Sequence, residues 1–133
     1  MTGGMALALV VASAQVGVIG AVSVLAAPGA FRALGTEAAG PYLRYLFPRY
    51  FAASAILALA AAISALLAGA AGPALMLLAD GACFAGALAL VPQINAARDR
   101  GEARFARLHG YSVGANGAGL VLALAAIAWL ALG

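Results

Sequence analysis

The amino-acid sequence predicts an all-α integral membrane protein, a four-helix bundle of up-down topology, and three observations carry that expectation. Of 133 residues, 66% are hydrophobic and only 8% are charged, against roughly 25% charged in soluble domains. The apolar residues fall into four stretches, each long enough to supply the roughly 20 helical residues that cross a hydrocarbon core. The basic residues are all arginine, seven in number, and they sit in or beside the first and third connections between those stretches. A soluble enzyme is excluded, because so few charges cannot clothe a water-facing surface. The net charge of +3 informs orientation in a membrane rather than nucleic-acid binding.

The first helix is expected over about residues 5–27, a run without a single charge. A cleaved signal peptide is a poor match, since no positive segment precedes the run and it exceeds the roughly 7–15 apolar residues of a signal core. Ser13, Gly17 and Ala21 recur every four residues, a small-residue stripe of the kind that brings helices close in lipid. Gln15 lies near mid-bilayer and needs a hydrogen-bond partner there. Pro28 and Gly29 then end the helix. Residues 30–47 read as an interfacial connection carrying Arg32, Glu37 and Arg44, with Tyr42, Tyr45, Phe47, Tyr50 and Phe51 as an aromatic belt at the headgroups. Pro41 is placed to start a short interfacial helix, and Pro48 to kink it or to open the second spanning helix.

That second helix is expected over about 48–69 and a third over about 73–94. The short connection between them makes these two antiparallel neighbours. A loop over about 95–109 leads to the fourth helix, about 110–132. Gly110, Gly114 and Ala118 mark a second small-residue face, while His109, Ser112 and Asn116 fall on another. Trp129 stands at the far end as an interfacial anchor. With arginines confined to the first and third connections, the positive-inside rule puts those connections in the cytoplasm and both termini on the non-cytoplasmic side.

Chemistry is expected where polar side chains enter the spans. Asp80 is the foremost: an ionised Asp near a helix centre costs roughly 2.5–3.5 kcal/mol, so it is protonated, paired or facing water. Ser13, Gln15 and Ser64 lie at similar depth and form a candidate outer polar belt around it, serving an ion or proton site or simple hydrogen-bonded adhesion. Met76, Asp80 and Cys83 share one stripe of the third helix, a weak candidate for a soft metal such as copper(I), although Met and Cys are also ordinary core residues. Cys83 is the only cysteine, so no intrachain disulfide forms.

A richer inner belt joins Gln93 and Asn95 to His109, Ser112 and Asn116, beside the arginines. His109 is suited to ligate haem or a metal, to relay a proton, or merely to cap a helix. One histidine per chain supplies two axial ligands only in a dimer. Arg98, Arg100, Arg104 and Arg107 face only Asp99 and Glu102, and the surplus charge suits an anionic lipid headgroup or plain topological control. No nucleophile-base pair, glycine-rich phosphate loop or carboxylate pair stands at usable spacing.

Three stretches, VGVIGAVSVLAAPGAF (16–31), LFPRYF (46–51) and INAARDRGEARFARLHGYSVGAN (94–116), together resemble the small membrane family typified by transmembrane protein 205, a domain of unknown function. The resemblance rests on Arg98-Asp99, Leu108-His109-Gly110, Ser112 and Asn116, with Pro28 and Phe31, and Phe47, Pro48 and Phe51, at the other recurrent positions. The layout is more distantly similar to the membrane domains of D-type copper-resistance proteins and of the haem-pathway oxidases grouped with them. What the resemblance implies is a four-helix membrane fold and a polar signature, with transport of, or resistance to, an ion, metal or small solute as the function. A haem- or other cofactor-binding redox protein using His109 and a structural or accessory subunit are the alternatives. No bound cofactor is expected first, with haem and copper the candidates otherwise. The expected partners are the lipid bilayer, anionic headgroups and a second copy of the chain in a homo-oligomer, with no nucleic acid. The expected location is a multi-pass position in the membrane, the inner membrane if the source is bacterial.

Overall fold

Thr2 opens the first helix, its Oγ1 accepting a hydrogen bond from the Met5 amide at 3.3 Å, which satisfies one of the amides that a helix start leaves free. The computed structural model describes residues 1–133, and every regular element is helical: α1 (Gly3–Gly20), a π-helical segment (Ala21–Ala26), α2 (Ala27–Leu67), α3 (Ala71–Asp99) and α4 (Arg104–Leu132). The π segment has a local cause. Pro28 brings no amide hydrogen, and its ring presses on the carbonyl four residues earlier, that of Val24. Widening the preceding turns relieves that crowding, and the Ala27 amide accordingly bonds to the Val22 carbonyl, five residues back.

Three helical runs are long and apolar enough to cross a membrane, Gly3–Leu67, Ala71–Asp99 and Arg104–Leu132, where the sequence predicts four separate helices. The difference lies in residues 30–47. Expected as an interfacial connection, this stretch is helical apart from one residue, Gly35, with φ 74° and ψ 167°, a backbone conformation open essentially to glycine alone. Pro28, Pro41 and Pro48 all remain inside helical structure, so prolines read as boundaries are absorbed instead.

At Gly35 the chain doubles back. Gly4 lies against Ala68, Ala8 and Ala12 pack with Ala61, Ala62 and Ala65, Ile19 packs with Tyr50 and Phe51, and Ala30 packs with Ala39 and Leu43. Falling partners on one side match rising positions on the other, so the first run is an antiparallel hairpin of two limbs, 3–34 and 36–67. The first limb packs on the second and on α4, and α3 packs on the second limb and on α4, which closes a ring of four helical limbs.

The other two turns are tighter than the sequence predicts. The expected loop 95–109 contracts to residues 100–103, because α3 runs on to Asp99 and α4 begins at Arg104. Both turns are built the same way on a positive-φ glycine, Gly69 (79°) or Gly101 (62°). The Ala70 amide reaches the Ala65 carbonyl at 2.9 Å and Gly69 reaches Leu66 at 3.0 Å; Glu102 reaches Ala97 at 2.9 Å and Gly101 reaches Arg98 at 3.1 Å. These paired bonds close a helix C-terminus in the Schellman manner.

The core is mostly alanine toward the terminal end, with Leu77 and Leu130, and aromatic toward the middle, where Phe84, Tyr50, Phe51 and Ile19 meet. Small side chains let helices approach closely, yet not on the stripes expected. Ser13, Gly17 and Ala21 face outward, as do Gly110, Gly114 and Ala118. The buried face of α1 is instead Ala8, Ala12, Gln15 and Ile19, and that of α4 includes Ser112, Gly119, Ala123, Ala126 and Leu130. Small residues occupy several faces of these helices, so the position of the polar residue decides: the face holding Gln15 turns inward, where its amide finds a partner. Tyr50 and Phe51 likewise leave the expected surface belt for the core, whereas Tyr42 and Tyr45 stay exposed. Trp129, half exposed, lies across Gly72, where an added Cβ would come within 2.8 Å of the indole.

Candidate functional site: a buried carboxylate and an arginine-end cavity

Asp80 is 0% exposed at the centre of the ring. Gln15, equally buried, donates from Nε2 to Asp80 Oδ1 at 3.1 Å, joining the first limb to α3. Gly119 of α4 makes room for the pair: a Cβ there would stand 2.9 Å from Asp80 Oδ1 and 2.6 Å from the Phe84 ring. The second limb crosses at the same level, where Gly81 faces Ala55 and Ala58, and Ser54 of that crossing is fully buried too. Two buried oxygens of this pair have no hydrogen-bond partner, Asp80 Oδ2 and Gln15 Oε1, and Ser54 Oγ, beside Tyr50, is a third. Buried polar atoms are seldom left so, and the two open acceptors of the pair are suited to a proton, a water or a small cation.

One helical turn from Ser54 on the same face stands Tyr50. Its hydroxyl donates to Asn116 Oδ1 at 2.5 Å, bridging the second limb to α4. Phe84, one turn from Asp80, meets the Tyr50 ring edge-on with centroids 5.9 Å apart. Asn116 in turn lines a cavity of about 440 Å³ to which all four limbs contribute, within the roughly 300–1,000 Å³ of ordinary ligand pockets. Its walls include Phe31, Phe47, Phe51 and Ile94, and its polar groups include Asn95, Ser112, His109, Arg98 and Arg44. The order from outside to inside is therefore arginines, cavity, Asn116, Tyr50, Ser54, and the Asp80–Gln15 pair.

Charge at the cavity rim is partly neutralised. Arg44 and Asp99 make a two-pronged ion pair, with Arg44 Nη1 donating to Asp99 Oδ2 at 3.1 Å and Nη2 donating to Oδ1. The Arg44 hydrogen bond holds the Asp99 carboxyl below its usual range, and Asp99 raises Arg44 in return. Glu102 accepts from Arg104 and Arg100, which holds its carboxyl low as well. Arg98 has no carboxylate partner; its guanidinium lies 4.7 Å from the Phe105 ring centroid. Phe105 also stacks with His109, the ring centroids 5.6 Å apart with 15° between the planes.

The structure redistributes the expected site residues. Gln15 joins Asp80, but Ser13 faces outward and Ser64 turns its hydroxyl to the Ala60 carbonyl of its own helix at 2.9 Å, since a serine in an apolar span satisfies itself most cheaply on the preceding turn. Asn95, His109, Ser112 and Asn116 come together around the cavity, whereas Gln93 is exposed and absent from its lining. Of the arginine set, Arg98 alone reaches the cavity; Arg100 and Arg104 are engaged with Glu102. Met76 packs beside the alanine core and Cys83 is half-buried, with Asp80 of that stripe turned to Gln15. No group of three His, Cys, Asp or Glu side chains gathers to hold a metal.

Sequence reasoning passes over Ser54, Tyr50 and Arg44. The signal for Ser54 is present: it and Ser64 are the only polar side chains between Phe51 and Gly69, and Ser54 stands one turn from a tyrosine. Arg44 and Asp99 are far apart in sequence, and the antiparallel packing of the second limb on α3 across the Gly69 turn brings them together.

Comparison with known families gives one finding. A family model described as a domain of unknown function, DUF4149, matches residues 10–103, more than two thirds of the chain. The matched region holds Gln15, Ser54, Asp80, Arg44, Arg98 and Asp99, and ends before α4. No curated protein and no solved structure matches the chain.

Proposed function

We propose that this chain, which belongs to the DUF4149 family, is a multi-pass membrane protein that moves a proton or small cation by way of Asp80, reached through the arginine-end cavity. Its apolar helices suit a lipid bilayer. The hairpin at Gly35 would give four crossings in up-down order, the arginine-bearing turns lying in the cytoplasm and both termini opposite. The resemblance to the transmembrane protein 205 type supports the same transport-class reading, because its signature positions Arg98, His109, Ser112 and Asn116 line the cavity.

The observation that carries the proposal is the pair of unpartnered buried oxygens on Asp80 and Gln15, with Ser54 Oγ a third toward Tyr50. A polar cluster serving adhesion alone would saturate its own hydrogen bonds. This one leaves acceptors open at the buried end of a polar series, and a carboxyl group inside a bundle is the residue type that binds and releases protons or cations there.

Reconstituted vesicles test it, with orientation read from labelling of a cysteine introduced at Ala103, exposed in the same turn with ordinary backbone angles. Wild-type protein should pass protons or a monovalent cation down an imposed gradient. Asp80→Asn, which keeps an acceptor for Gln15 and elutes as the wild type does, should reduce the flux to that of empty vesicles. Wild-type flux in that variant would sink the proposal.

A further inference from the structure

The cavity has a sideways opening that the Asp80 site does not need. Apart from Arg98 at the arginine end, its exposed lining residues are Ser23 and Phe31 on the first limb and His109 and Val113 on α4, with Phe31 46% and Val113 57% exposed. The mouth therefore lies between the first limb and α4. The limbs part at the π segment: α1 packs against α4, whereas residues Ala21–Ala26 have little contact with it. An opening between two apolar helix faces looks onto lipid, not onto water.

Inside, one wall is apolar and one end is cationic. Phe31, Phe47 and Val113 offer a surface for hydrocarbon, while Arg98, Asn95 and Ser112 lie among the polar lining. Arg44 is paired with Asp99, so the guanidinium left at the rim without an ion pair of its own is that of Arg98, which stacks on Phe105 and feels Asp99 only through space. A guanidinium beside hydroxyl and amide donors fits an anionic oxygen group, and a lateral mouth admits the chain attached to it.

We infer that this cavity binds a single anionic lipid of the surrounding leaflet, its headgroup phosphate on Arg98 with Asn95 and Ser112 and one acyl chain leaving between the first limb and α4. The inference rests on the membrane-spanning reading of the bundle but not on flux: a chain that moved nothing would still hold the lipid.

The test uses the full chain in phosphatidylcholine vesicles carrying a trace of phosphatidylglycerol with a photoactivatable group in one acyl chain, and in parallel the equally labelled phosphatidylcholine. Cross-linking by phosphatidylglycerol should exceed that by phosphatidylcholine at least fivefold and map to peptides holding Phe31, Phe47 or Val113. Arg98→Gln should remove that excess, Arg98→Lys should keep most of it, and Val113→Trp, which narrows the mouth and leaves every charge in place, should lower it at least threefold. Equal labelling by the two lipids, labelling centred on the outward face at Ile56, Leu59 and Ile63, or labelling that neither Arg98→Gln nor Val113→Trp changes would overturn the inference. So would displacement by millimolar inorganic phosphate, which would make the ligand a soluble anion. Occupancy, not transport, is read, so failure here is separable from failure at Asp80.

Discussion

Arg44 and Asp99 fasten the second limb to the end of α3, and their chemistry fixes a pH dependence. Asp99 titrates below its ordinary value because Arg44 hydrogen-bonds its charged form, the unfolded value being about 3.9. A depressed folded value means stability that is fully present above about pH 4 and lost as the pH falls through the folded value. The pair is exposed to solvent, so the effect is modest. The thermal midpoint of Asp99→Asn should lie slightly below that of the wild type, by a constant amount from neutrality to about pH 5, and the gap should narrow as the pH falls further. A gap that widened on acidification would contradict this role.

Single residues were also the most legible part of the site. Gln15 and Asp80 announce themselves because an amide or carboxyl inside an apolar span must find a partner. Their pairing with each other, across 65 positions, depends on which helices become neighbours. Which serine joins the polar series was not legible, since a serine can satisfy itself on its own backbone, as Ser64 does.

At the scale of elements, glycines that look alike in sequence differ in what surrounds them. Gly119 sits against Phe84 and Asp80, with an added Cβ 2.6 Å from the ring, whereas Gly110 and Gly114 have nothing within 4 Å. Gly119→Ala should destabilise the fold by about 1–3 kcal/mol through overpacking. Gly110→Ala and Gly114→Ala should be neutral or slightly stabilising, given the roughly 1 kcal/mol helix preference of alanine. Thermal unfolding of the three variants in one detergent checks this, and equal behaviour would mean that α4 packs by a different face.

Helix existence was legible and helix limits were not. Long uncharged stretches must be helical in lipid, and α1, α3 and α4 each lie over one of them, although the first limb runs on to residue 34, α3 runs past residue 94 to Asp99 and α4 begins at Arg104. The prolines misled because in water a proline usually ends a helix. Here Pro28 is accommodated by π turns and Pro41 and Pro48 by continued helix, while the true reversal falls on Gly35, one glycine among 17. The turn at residues 100–103 was overestimated because a cluster of charges reads as loop; in fact the charges extend the ends of α3 and α4 and cap each other through Glu102.

For the whole molecule, three apolar helical runs and one internal hairpin enclose a polar series that begins at the arginines and ends on Asp80. Composition alone makes the apolar exterior legible. The short turns make consecutive limbs neighbours, as the second connection announces in the sequence, but the closure of the first limb on α4, and hence the convergence of Arg44, Asn95, His109 and Asn116 on one cavity, carries no signal there. The most direct measurement is modification by dicyclohexylcarbodiimide, an apolar reagent for carboxyls sheltered from water, in vesicles assayed for flux. Asp80 should be the acid modified among Glu37, Asp80, Asp99 and Glu102, and flux should fall in proportion to its modification. An unmodified Asp80, or full flux with Asp80 completely modified, would show that the buried carboxyl is not on the path.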